Sequence, residues 1–358
     1  MARVDAFNKG KNTKDDEYYT RYDDIQNELN YYTNEFENKT VLCNCDDPYE
    51  SNYFKFFIKN FNYLKLKKLI CVTYGGSPVI GTQMTLFDDN EIAMSSKNGY
   101  VVQITSVPMK NGRGVSDEDI NELLMSKKRG IKKLKDNGDF RSDECIKFLK
   151  EADIVVTNPP FSLFREYIAQ LIEYNKKFLI IGRETSVSYK EVFPLFKDNI
   201  VWYGYTHAKV FDRPDGTTKT FGNVTWFTNL DVKKRHEPFQ SYSTYQEDLY
   251  YKYENFDGID IPNVSDIPSD YYGIMGVPQS FMSSYNPDQF EIVGYGKGKL
   301  GQDIGVTGIK PEHKKLMKNH AAAGDLYYID NNGTPKCPFA RILIRRIKHE
   351  DWWNHYPC

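Results

Sequence analysis

Asn158-Pro159-Pro160-Phe161 joins residue types that can hold and aim an amino group. Two successive prolines pin φ and remove two backbone donors, so the chain there is stiff and non-helical. The side-chain amide of Asn158 and the carbonyl of Pro159 can present two acceptors towards one point, with Phe161 as a flat apolar face beside them. A planar ring carrying an exocyclic NH2 fits this set: two N–H donors meet two acceptors, and the ring stacks on Phe161. A plain Pro-Pro loop after a core strand is the bland alternative for the tetrapeptide by itself.

The elements that must position this corner are legible in the pattern. Ile154, Val155 and Val156 form a β-branched run without polar alternation, as in a strand buried on both faces. In open α/β sheets ligands bind just past such carboxyl ends. Further strands are expected at Lys39–Cys45, Lys68–Thr73, Gly99–Thr105 and Lys177–Gly182, with a closing antiparallel pair at Ile200–Tyr205 and Asn223–Thr228. Tyr22, Ile25, Leu29, Tyr32 and Phe36 recur at helical steps, and Thr20 is placed to cap that helix. Ser51 or Asn52 caps a helix buried through Phe54, Phe57, Ile58 and Phe61, and Ser142 caps another with Ile146 and Leu149 inward. A helix is also expected over Asp117–Lys135, ending in a basic run that includes Lys127, Lys128, Arg129, Lys132 and Lys133. Strand–helix alternation across 39–230 argues an α/β fold with a doubly wound, mostly parallel sheet.

Asn-Pro-Pro-Phe has the form of the (Asp/Asn/Ser)-Pro-Pro-(Tyr/Phe) motif of amino-group methyltransferases that use S-adenosylmethionine. Most of the chain resembles the EcoRI-like adenine-specific DNA methyltransferases. Cys45-Asp46-Asp47-Pro48-Tyr49-Glu50-Ser51-Asn52 is similar to what that family carries after its first strand. The resemblance implies that Asp46, Asp47 and Pro48 face the cationic methionine end of S-adenosylmethionine. Tyr18-Tyr19-Thr20 is similar to the family's N-terminal motif, which puts Tyr19 and Thr20 over the same end. Gly138-Asp139-Phe140 then implies that Asp139 accepts from the cofactor's adenine while Phe140 packs on that ring. A Gly-x-Gly nucleotide turn is missing, as it is in the family. No acid ends the second strand, so Thr73 or Tyr74 is left as the candidate ribose partner.

With these motifs in order, the resemblance implies a Rossmann-like methyltransferase domain at 39–231, a cofactor-lid helix region at 1–38 and a smaller α+β target-recognition unit at 232–358. Residues 232–272, rich in Tyr, Asp, Asn and Pro, read as boundary and connector. The implied reaction is in-line methyl transfer to adenine N6 of a flipped-out base, with Asn158, Pro159, Pro160 and Phe161 as the catalytic corner. The amino geometry alone also admits cytosine N4, an RNA guanine or a protein glutamine. A DNA-binding protein with a decayed cofactor site is the reading from another class.

Net charge is −2, which excludes a globally basic coat for nucleic acid, so double-stranded DNA must meet local patches. Lys219 on the long loop at 211–221, Lys297 and Lys299 in a glycine-rich loop, and Arg345 and Arg346 after the last strand are the candidates. His207 reads as a structural polar residue. Six cysteines without a Cys-x-x-Cys pair read as reduced thiols, with no metal site expected. No signal peptide or membrane span is visible, so a cytoplasmic protein without membrane contact is expected, with a cognate restriction endonuclease as a possible partner.

Overall fold

The computed structural model describes residues 18–48, 50–75, 98–109, 114–126, 131–213, 216–317 and 321–348. The polar stretch at 1–14, the loop at 110–113, Tyr49, and Lys127, Lys128 and Arg129 lie outside the described residues. Two compact units divide the chain: residues 1–186 with 202–230, and residues 187–201 with 231–358.

In the first unit, β1 (Tyr19–Thr20) leads into helix α1 (Tyr22–Leu29) and a 3-10 segment, Asn30–Phe36. Ile25, Leu29, Tyr32 and Phe36 are buried, as their spacing requires. Thr20 does not cap α1: it is extended and buried in β1, and Arg21 fills the cap position without a side-chain bond. Its backbone register is set instead by pairing with Phe211, a partner far along the chain that local pattern does not reveal.

The unit continues through β2 (Thr40–Cys43), α2 (Asn52–Lys59), β3 (Lys68–Val72), β4 (Tyr100–Ile104), α3 (Asp117–Ser126) and β5 (Ile131–Lys133). Next come α4 (Asp143–Glu151), β6 (Ile154–Thr157), α5 (Phe164–Glu173) and β7 (Lys177–Arg183). It closes with β8 (Trp202–Tyr203), β9 (Val210–Asp212), β10 (Thr218–Thr220) and β11 (Val224–Thr228). Ser51 and Ser142 cap α2 and α4, each hydroxyl accepting from first-turn backbone N–H groups. Of the helix expected across Asp117–Lys135, the described part is Asp117–Ser126, and Lys132 and Lys133 lie exposed on β5 instead.

Eight strands form one sheet among the described residues, in the order β5-β4-β3-β2-β6-β7-β11-β8. The β3–β2, β2–β6 and β6–β7 pairings are parallel, and the other four are antiparallel. The sheet is therefore mixed, with a parallel centre, and not mostly parallel as expected. Apolar runs report burial but carry no information on strand direction. β2 has β3 on one side and β6 on the other, so the strand order reverses between β2 and β6. In such sheets ligands sit beyond the carboxyl ends of the two strands at that reversal. Val41, Leu42, Cys43, Ile154, Val155 and Val156 are all buried. The expected loop at 211–221 is in fact the β9–β10 hairpin, and β1 pairs on the free side of β9 to make a separate three-stranded sheet.

The second unit holds α6 (Phe193–Lys197) and a four-stranded sheet of β12 (Ile259–Asp260), β13 (Ile274–Pro278), β14 (Phe290–Tyr295) and β17 (Arg341–Arg346), in the order β12-β13-β17-β14. A hairpin of β15 (Tyr328–Ile329) and β16 (Pro335–Lys336) and the short helices α7 (Gly298–Asp303) and α8 (Pro311–Leu316) complete it. Residues 232–272 are more than a connector: they supply β12 and bury Tyr250, Tyr253, Ile259, Ile261 and Ile267. Tyr and Asn there build a core that a polar composition disguises. Asp260 is buried, accepting from Tyr253 Oη at 2.8 Å and from Arg341 Nε at 2.9 Å. Such a pair holds together only because each charge is answered inside the fold.

Candidate active site

Asp46 sits just past β2, and its carboxylate is buried. Ser51 Oγ donates to its Oδ1 at 2.7 Å while accepting from the Tyr53 and Phe54 amides, so one hydroxyl both caps α2 and holds the acid. Thr157 Oγ1, at the end of β6, donates to the other oxygen and accepts from the Cys45 amide at 3.2 Å. Burial pushes the Asp46 carboxyl up to about 6, the Asp47 charge adds to the rise, and the two hydroxyl bonds oppose it. No cation pairs with Asp46 among the described residues. Asp47 and Pro48 form the turn into α2, with the Asp47 carbonyl accepting from the Glu50 and Ser51 amides. Asn44, buried just before them, accepts from Tyr167 Oη and leaves its Nδ2 unpartnered.

Asn158 follows Thr157 directly. Its Nδ2 donates to the Tyr18 carbonyl at 2.6 Å, which fixes the orientation of the amide. Its Oδ1 is buried and has no protein partner. An orphaned buried acceptor costs about 1–3 kcal/mol, so a donor from outside the chain stabilises it. Pro159 is buried, and Pro160 accepts from the Leu163 amide at 3.0 Å in the turn that starts α5. Phe161 is half-buried in an aromatic group: Tyr18 lies at 6.5 Å and 23°, and Phe221 packs edge-on against both at 4.9 and 6.0 Å. The Arg183 guanidinium lies 5.5 Å from the Phe161 ring centre and 5.4 Å from that of Phe221. The hairpin at 210–220 thus meets the Asn-Pro-Pro-Phe corner through Phe221 at its end, and Lys219 is exposed on β10.

Tyr19 pairs with Asp212 in β1, while Thr20 Oγ1 accepts from Tyr53 Oη at 3.3 Å and Thr20 O accepts from Asn52 Nδ2 at 2.9 Å. The N-terminal motif is so tied to α2, close in the chain to Asp46. Asp139 and Phe140 lie in the turn before α4. Asp139 is gripped by Arg141 through Nε at 2.9 Å and Nη2 at 2.6 Å, and Arg141 also meets Glu166 at 2.7 Å. Phe140 is buried with its ring edge-on to Tyr167 at 5.0 Å. Gly138 before them has φ +77°, and a Cβ there would lie 2.0 Å from the Thr73 carbonyl oxygen. Only glycine allows the two backbones to approach that closely. Thr73 Oγ1 accepts from the Tyr100 amide at 3.0 Å, while the Tyr74 side chain is exposed.

The remaining cationic candidates belong to the second unit and are described there. Lys297 precedes α7, and Lys299 pairs with Asp303 at 2.8 Å on that helix, so the expected glycine-rich loop is helical over 298–303. Glycine content alone does not forbid a single helical turn when the Gly298 amide is held by Asp325 at 2.9 Å. Arg345 pairs with Glu291 at 3.0 Å. Arg346 turns inward, donating to Ser241 Oγ at 2.6 Å and Pro268 O at 3.1 Å over the Phe290 ring. His207 meets Glu184 at 3.2 Å.

Sequence reasoning missed Ser51 and Thr157 as the hydroxyls that hold Asp46, and it missed Arg183. Arg183 had a signal: it is the residue directly after the apolar run of β7, at a carboxyl end. The described cysteines are free thiols, and burial pushes those of Cys43, Cys45 and Cys71 well up. Among the described residues no helix is long and apolar enough to cross a membrane.

Residues 6–347 match a family profile described as adenine-specific methyltransferase EcoRI. The chain is 41% identical over 332 residues to the Type II methyltransferase M.EcoRI of Escherichia coli, covering 87% of this chain and 95% of that protein. It is 36% identical over 309 residues to the Type II methyltransferase M.MgeORF184P of Mycoplasma genitalium, covering 80% of this chain and 85% of that protein. To M.MpnI of Mycoplasma pneumoniae it is 36% identical over 310 residues, with 80% and 84% covered. No solved structure matches the chain.

Proposed function

The chain belongs to the adenine-specific EcoRI methyltransferase family and is a site-specific DNA methyltransferase; from that premise we propose how its residues divide the work. The observation that carries the reading is the buried, unpartnered Asn158 Oδ1 next to a buried, cation-free Asp46. One accepts a hydrogen bond from outside, and the other accepts a positive charge. S-adenosylmethionine fits both demands and supplies the sulfonium methyl that is transferred. Asp46, with Asp47 and Pro48 in the same turn, holds its cationic end, Tyr19 and Thr20 close over it, and Asp139 and Phe140 take its adenine.

On the substrate side, Asn158 Oδ1 and the Pro159 carbonyl accept from the two hydrogens of adenine N6. That grip aims the nitrogen lone pair and holds it in attacking position, so orientation and fixed dipoles supply most of the rate. Pro160 keeps the corner rigid. Since N6 lies within the stack of a duplex, the base must turn out, and Phe161 replaces its lost stacking. Lys219 of the hairpin, and Lys297, Lys299, Arg345 and Arg346 of the second unit, are the proposed contacts to DNA phosphates, with the unit at 232–358 reading the site. Arg346 serves only through its outer edge, given its inward bonds. A cognate endonuclease for the same site is the expected partner of a Type II methyltransferase.

The test is transfer of labelled methyl from S-adenosylmethionine to DNA, RNA and protein in parallel, with the site read by single-molecule sequencing. Label on adenine in one DNA context is expected. Label confined to RNA or to protein overturns the reading.

A further inference from the structure

Arg183 ends β7, the parallel neighbour of the strand that leads into Asn158, and its backbone pairs with Val224. Its guanidinium carbon lies 5.5 Å from the Phe161 ring centre and 5.4 Å from that of Phe221, and those two centres are 6.0 Å apart. The cation therefore sits in the angle between the two rings. They restrict where it can go without neutralising its charge.

Most arginines of this chain are answered by the protein. Arg21, Arg141, Arg341 and Arg345 pair with carboxylates, and Arg235 and Arg346 donate to neutral oxygens. Arg183 is exposed and has no hydrogen-bonded or ionic partner among the described residues. Glu184, the next residue and the nearest acid in the chain, faces His207 at 3.2 Å instead. Arg213 likewise has no side-chain polar partner among the described residues, and it lies 5.8 Å from the Tyr18 ring centre. The unanswered arginines thus flank one aromatic group, the one beside Asn158.

A guanidinium left free in this way presents parallel donors that match a phosphate. The anion nearest a base held by Asn158 and Phe161 is the phosphodiester of that same nucleotide, which moves with the base as it turns out. The methionine carboxylate of the donor is the competing anion. Sheet order favours the phosphate: Asp46, proposed for the donor's cationic end, follows β2, and β6 lies between β2 and β7.

We propose that Arg183 is a positioning residue that grips a phosphate flanking the extruded adenine and so fixes the nucleotide on which Asn158 acts. The proposal rests on the proposed function, and the two fail separately: wild-type protein that methylates no DNA defeats the function before Arg183 is altered.

The test combines one variant of the full chain with two altered duplexes. Arg183→Met keeps an unbranched apolar stem against the rings and removes the charge. In each duplex one phosphate flanking the mapped adenine is replaced by an uncharged methylphosphonate. Arg183→Met is expected to bind natural duplex about tenfold more weakly at low salt, and its slope of log affinity against log salt should be shallower by about 0.9, the value of one phosphate contact. Its S-adenosylmethionine affinity should stay within about twofold of wild type. Wild type is expected to lose about tenfold on one of the methylphosphonate duplexes, and Arg183→Met no more than about twofold on that same duplex. An unchanged salt slope overturns the proposal, as does an equal methylphosphonate loss in both proteins. A loss confined to S-adenosylmethionine overturns it too, by giving Arg183 to the donor's carboxylate. If Arg183→Met does not fold, wild type decides alone: equal affinity for the natural duplex and both methylphosphonate duplexes overturns the contact.

Discussion

The parallel strands β3, β2, β6 and β7 meet different surroundings at their two ends. At the amino ends the polar groups answer one another. Asp153 Oδ2 accepts from the Thr40 amide at 2.7 Å, and the Asp153 amide donates back to Thr40 O at 2.9 Å. Lys176 Nζ donates to the carbonyls of Lys150 and Ala152, and Asn229 bridges Lys176 and Phe178. At the carboxyl ends of β2 and β6, Asn44 Nδ2 and Asn158 Oδ1 have no partner, and Asp46 no cation, among the described residues. One end is organised for stability. The other leaves buried groups unanswered, a cost that a bound ligand would relieve.

If that contrast is right, Asn158→Ala should separate the two properties most sharply. Single-turnover methyl transfer should fall about 10²–10³-fold, as when one preorganised polar contact to the reacting group is removed. Urea denaturation should show a loss of only about 1 kcal/mol, because the missing Oδ1 was already unpaired and the one bond removed is that from Nδ2 to the Tyr18 carbonyl.

The next largest effect belongs to Asp46 and depends on pH. Its carboxyl is raised to about 6, so the ligand-free protein binds this proton more tightly than the unfolded chain does. The resulting stability is present at pH below about 4 and is lost as pH rises through about 6, an amplitude of about 2–3 kcal/mol. Asp46→Asn should flatten that slope in denaturation measured from pH 4 to 8. A cationic ligand prefers the ionised acid, so the sign reverses for binding. Calorimetric affinity for S-adenosylmethionine should weaken by up to about tenfold per pH unit below 6 and level off above about 7. A flat profile would remove Asp46 from the cationic end.

At the amino end the expectations are smaller and purely structural. Asp153→Ala leaves the Thr40 amide without its acceptor and should cost about 1 kcal/mol while methyl transfer stays unchanged. Lys68→Met, which breaks an exposed pair with Glu151, should change stability by less than about 1 kcal/mol. Loss of transfer rate in either variant would erase the distinction between the ends.

What could be read in the sequence was what short-range chemistry determines. Ser51 and Ser142 announce their helices because a cap acts on residues two or three places on. The β-branched run before Asn158 announces a buried strand, and the Pro-Pro step announces its end. The reversed direction of β4, the pairing of β1 with β9, and the Tyr18 carbonyl on Asn158 were not legible. Each depends on partners far apart, 140 positions in the case of Tyr18 and Asn158, and nothing local encodes that distance. Polar composition misled at 232–272, because Tyr253 and Asn255 are buried through hydrogen bonds that hydrophobicity does not register. The catalytic corner was visible as a motif, but its unanswered oxygen became visible only in three dimensions.

The pairing of β1 with β9 also bears on how the molecule comes into being. Arg21 meets Asp212 across 191 positions, so on the ribosome the first strand has no strand to pair with until most of this unit has been made. At about 5–20 residues per second that interval is roughly 10–40 s. Until then the segment that offers Asn158 its carbonyl is anchored only through Thr20 to α2, and the centre of a nascent chain is incompletely held while its later parts are still being translated.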